Sequence, residues 1–95
     1  MTASFRLANL KKVYTNKEAE IVHLATNTKT PIRQKQLIYG CLNNLCRISA
    51  LLYGELSTAP GNYELLEEAA ELDKALVQLR SFVGSQIPTR MQHVA

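Results

Sequence analysis

The chain has 95 residues, 46% hydrophobic and 20% charged, with a formal net charge of +3. That length holds one core and not two, and the apolar content is too high for an intrinsically disordered chain. A spanning helix is excluded too, because the most apolar run, Leu37 to Leu56, is broken by Asn43, Asn44, Arg47, Ser49 and Glu55.

The first third carries a helical pattern. Leu7, Tyr14 and Ile21 share one heptad position, and Leu10, Lys17 and Leu24 share another, which predicts a helix from about Ser4 to Ala25. Lys17 is a polar blemish in that stripe. Thr15-Asn16-Lys17-Glu18 has the form of a capping box, which can start a fresh helix. Two readings therefore stand: one continuous helix, or one kinked or broken near Thr15. The short polar linker TNTKT predicts an antiparallel return.

The second helix is expected to open at Thr30-Pro31, a capping hydroxyl followed by proline in the first turn. It should run to about Leu56, where STAPGN ends it. At about 100° per residue, Ile38, Cys41, Leu42, Leu45, Ile48, Leu52 and Leu56 fall in one arc, which Leu37, Tyr39, Cys46 and Tyr53 widen. A helix apolar over more than half its circumference is predicted to be central and covered from two sides. Gln36, Gly40, Asn43, Arg47 and Gly54 form the remaining strip.

The third helix has the clearest seam: Leu65, Ala69, Leu72, Leu76, Leu79 and Val83 alternate at spacings of four and three. Asn62 is its expected N-cap and Gly84 its C-cap, with Pro88 preventing resumption. Early glutamates complement the helix dipole. The predicted fold is all-α, an antiparallel three-helix bundle over residues 1–86, which self-association would complete. Residues 87–95 lack periodicity and read as a flexible tail.

The segment YGCLNNLCR, residues 39 to 47, raises the question of chemistry. On a helix, Cys41 and Cys46 diverge by about 140°, so they cannot share a metal ion, and the same angle disfavours a disulfide between them. They read as small hydrophobes buried against different neighbours. No serine sits in a nucleophile elbow, and the glycines form no phosphate loop. The carboxylates of the third helix read as a solvated face. The sequence points away from an enzyme, and to no cofactor or metal.

What remains is binding. Leu66, Ala70 and Val77, with Tyr63 nearby, form a second apolar stripe on the third helix, and Arg47 stands in the polar strip of the second. These five residues are the expected contacts of a protein partner, either a second copy in a homodimer or another helical protein. The corresponding role is a non-catalytic interaction module: a small adaptor, chaperone-like binder or inhibitor. A different reading uses the basic front of the chain, where Arg6, Lys11, Lys12, Lys29, Arg33 and Lys35 would meet nucleic acid. The helix following TNTKT is too apolar for a recognition helix. Without an export signal or cysteine framework, the expected compartment is the cytoplasm, away from membranes.

Overall fold

A computed structural model describes residues 2–58 and 61–88, and consists of three α-helices: α1 (Ala3–Thr26), α2 (Ile32–Ser57) and α3 (Tyr63–Ser85). There is no strand among the described residues. Successive helices run antiparallel. Arg6 at the start of α1 forms an ion pair with Glu55 at the end of α2. Tyr39 early in α2 lies against Gly84 late in α3. The tightest pairing is between α2 and α3, with α1 laid more loosely along that hairpin.

Local chemistry explains where each helix begins and ends. At the start of α1, the Thr2 hydroxyl accepts from the Phe5 amide at 3.2 Å, satisfying one of the first-turn donors. The helix then runs unbroken. Thr15 is not a cap: its hydroxyl donates back to the Lys11 carbonyl at 2.9 Å. Glu18 does not close a capping box either, because it accepts from the Tyr14 hydroxyl at 2.6 Å. Anchors beyond both sides of this turn, Leu7 and Leu10 before it and Ala25 after it, hold the polar middle in line. Asn27 then turns the chain, its side-chain oxygen accepting from the Lys29 amide at 2.9 Å.

The start of α2 differs from expectation by one residue. Pro31 occupies the cap position and Thr30 is buried beneath it, making no capping bond. Gly61, at φ +87°, supplies the left-handed turn residue before α3, a conformation glycine adopts without steric cost. Asn62 caps α3 without a side-chain bond. Gly84 is inside the last turn of α3 rather than beyond it. Its role is clearance: a Cβ there would stand 3.1 Å from Cε2 of Tyr39. Ile87 is half-buried, its amide donating to the Gly84 carbonyl at 3.2 Å, while residues 89–95 of the expected tail lie outside those described.

The core is assembled from all three helices. It joins Leu7, Leu10 and Ala25 to Leu42, Cys46, Leu52 and Leu56, and to Ala69, Leu72, Leu76, Leu79 and Val83. The α3 seam is buried as its spacing predicts, with Leu65 half-covered at the end. Full burial of each large aliphatic side chain contributes about 1.5–3 kcal/mol. The shape is flat and long, 49 × 29 × 19 Å. Its radius of gyration, 15.3 Å, exceeds the roughly 13 Å of a compact chain of about this length.

That flatness overturns one expectation about α2. The helix is central, but its apolar arc is not fully covered. Leu37, Cys41 and Ile48 are exposed, and so is Leu51. The cause lies in α1, whose residues 11–20 are all exposed except half-buried Tyr14. In this lysine-rich stretch Tyr14 alone packs against the core, while Val13 stays exposed beside the outer edge of α2.

Candidate interaction surface

The outer edge of α2 carries a ridge of residues three or four apart: Arg33, Leu37, Cys41, Asn44, Ile48, Leu51 and Glu55. Every one of them is exposed. Leu37, Ile48 and Leu51 leave 64%, 51% and 65% of their surface in water. Leu37, Cys41 and Asn44 also form one bank of a groove of about 450 Å³ between α1 and α2, with Val13, Ile21 and Leu24 opposite. The groove is lined predominantly by apolar atoms. Through Leu37, Cys41 and Asn44 it is continuous with the ridge.

The residues singled out from sequence gather on a different face, between α2 and α3. Arg47 and Val77 border a depression of about 490 Å³ with Asn43, Ala50, Asp73 and Arg80. Within it, Arg80 Nη1 donates to Asn43 Oδ1 at 3.0 Å, tying the two helices together. Tyr63, Leu66 and Ala70 line an adjacent depression of about 320 Å³ with Tyr53 and two glutamates. The five residues thus share one side of the hairpin. Arg47, Tyr63, Ala70 and Val77 are exposed there, Leu66 is half-buried, and charged groups interrupt the apolar surface. This face is mixed in character where the α2 ridge is apolar.

The two cysteines divide. Cys41 is exposed on the ridge, against the expectation that both are buried, whereas Cys46 is in the core. Burial pushes the Cys46 thiol pKa up; Arg80 opposes that shift and Asp73 adds to it. A raised thiol pKa leaves little thiolate at neutral pH. Among the described residues, no group of three or more His, Cys, Asp or Glu side chains is placed to hold a metal ion. No described helix is long and apolar enough to cross a membrane.

The cations of the nucleic-acid reading do not form one patch. Arg6 is engaged with Glu55. Lys29 and Arg33 lie past the opposite end of α1, which is about 30 Å from Arg6 along the helix axis. Lys35 is only 8% exposed, its stem packed into the bundle. Lys11 and Lys12 stand on exposed turns between these ends.

Sequence reasoning missed Leu37, Cys41 and Ile48 as surface residues because their period is that of a core, and it assigned Leu51 and Val13 no role. The available signal was breadth: the apolar arc of α2 is wider than one polar-centred neighbour can cover. No family model, no curated protein and no solved structure matches this chain.

Proposed function

We propose that this chain is a non-catalytic protein–protein interaction module whose working surface is the outer ridge of α2. The observation that carries this reading is the cluster of exposed aliphatic side chains on the best-anchored helix. Leaving such a ridge wet forgoes burial free energy, and contiguous apolar patches on small monomers commonly mark contact sites. The groove beside it has the form that accepts an amphipathic helix, with anchors spaced at i, i+4 and i+7. Binding would proceed by laying a partner helix along the ridge, with little rearrangement of the bundle. Adaptor, inhibitor and chaperone-like roles all use this one mechanism.

The test is position-specific capture. A photoreactive side chain installed at Ile48, in cells that make the protein, should give a discrete protein adduct. The adduct should vanish when Leu37→Glu and Leu51→Glu are added. No adduct from Ile48, or equal capture from exposed Glu71 on α3, would contradict the reading.

A further inference from the structure

The ridge of α2 is self-complementary, and we infer that its occupant is a second copy of this chain, docked antiparallel, α2 against α2. This rests on the interaction reading of the ridge and adds the identity and orientation of what covers it. Two features of the ridge carry it. The first is its order: Arg33, Leu37, Cys41, Asn44, Ile48, Leu51 and Glu55 read nearly the same from either end. Leucines stand seven residues to each side of Asn44, and Cys41 and Ile48 flank it. A twofold axis through Asn44 therefore places Leu37 beside the partner's Leu51 and Cys41 beside the partner's Ile48.

The second feature is charge. Arg33 ends the ridge on one side and Glu55 on the other, about 33 Å apart along the helix. The same twofold brings Arg33 to the partner's Glu55 twice over, whereas a parallel pairing would set Arg33 on Arg33 and Glu55 on Glu55. Glu55 already pairs with Arg6, yet its side chain remains 53% exposed, so its carboxylate can accept from both. Asn44 completes the arrangement. A primary amide carries both donors and an acceptor, and it pairs well only with a polar group. Its own symmetry mate satisfies it, and a single asparagine in an apolar helix seam is a known determinant of register and pairing.

Contact along about six turns of one helix is small for a stable interface, which predicts an association in the micromolar range. Sedimentation equilibrium from about 1 µM to about 500 µM should show a reversible monomer–dimer step. Leu37→Glu with Leu51→Glu should abolish it while leaving the helical circular dichroism intact, because both residues are exposed. A strict monomer over the whole range overturns this inference. The capture experiment at Ile48 then decides separately whether the ridge binds a different protein.

Orientation has its own readout. In a chain carrying Cys41→Ser and Cys46→Ala, a Leu37→Cys copy and a Leu51→Cys copy should be joined by a short bismaleimide when mixed. Neither should link to itself. Self-linking by either copy would overturn the antiparallel arrangement. Arg33→Glu should weaken association roughly tenfold by placing like charges together, and adding Glu55→Arg with Arg6→Glu, which keeps the intrachain pair, should restore it. Absence of that rescue would remove the charge pairing from the account.

Discussion

The ring of Tyr39 fills the space a side chain at Gly84 would need, its Cε2 lying 3.1 Å from where a Cβ would stand. This contact closes the α2–α3 hairpin at the end opposite its connecting turn. A methyl group requires the ring to move by a few tenths of an ångström, and half-exposed Tyr39 has room to slide outward. Gly84→Ala should change stability by less than about 0.5 kcal/mol, the helix-propensity gain offsetting the displacement. Gly84→Leu should lose about 1–3 kcal/mol through overpacking. Chemical denaturation of the two variants measures both.

Gly40 and Gly54 are the contrasting case. Both are inside α2, and a Cβ at either meets nothing within 4 Å. Alanine at each position should stabilise the fold by about 0.5–1 kcal/mol, since glycine alone loses extra backbone entropy in a helix. Thermal unfolding of Gly40→Ala and Gly54→Ala should show raised midpoints with unchanged self-association. A lowered midpoint would mean that another backbone approaches the polar strip of α2.

Leucines of core and ridge should respond oppositely to truncation. Leu7 and Leu76 are almost fully enclosed, so Leu7→Ala or Leu76→Ala should cost about 2–5 kcal/mol. Leu37→Ala and Leu51→Ala should cost less than about 0.5 kcal/mol in the dilute protein, because little surface there is removed from water. Urea unfolding at low protein concentration separates the two groups. Comparable losses at all four positions would mean that the ridge is covered within one chain.

The Tyr14 phenol should titrate late. Its pKa is pushed up to about 12, first by burial and then by its hydrogen bond to Glu18 and that carboxylate's charge. The folded value lies above the unfolded one, so the stabilisation is fully present below about pH 10 and is lost as pH rises through about 12. Ultraviolet titration should resolve one late phenol, and Glu18→Ala should bring it earlier without returning it to the ordinary value. Cys46 shifts in the same sense, with burial the first cause, so its contribution likewise fades as pH climbs past the ordinary thiol range. At neutral pH, native-state thiol labelling should be fast at Cys41 and at least about a hundredfold slower at Cys46.

Much of this architecture is legible in the order of residues. The seam from Leu65 to Val83 specifies α3 because a 3.6-residue period with one apolar stripe has one way to face a core. The width of the α2 arc identifies the central helix. What periodicity does not carry is which part of a wide arc a neighbour reaches. Leu37 and Ile48 belong to the same wide apolar arc as Leu42 and Leu52, yet the first pair is exposed and the second buried. Thr15 shows a second gap: its hydroxyl suits a cap or a back-bond to Lys11 equally, and tertiary anchoring at both ends of α1 decides. Lys35 shows a third, since a long aliphatic stem lets a cation occupy an inward position. For the surface, sequence directs attention to the α3 stripe, and its periodicity gives no sign that the outer edge of α2 is exposed.

The claim on which the rest depends is that α2 presents an uncovered aliphatic ridge to water within each single chain. Methyl NMR with a soluble paramagnetic agent measures this directly. In dilute protein, the methyls of Leu37, Ile48 and Leu51 should broaden strongly, those of Leu42, Leu76 and Val83 hardly at all, and raising the protein concentration should restore the ridge signals. Ridge methyls as shielded as the core ones in the dilute sample would contradict the account.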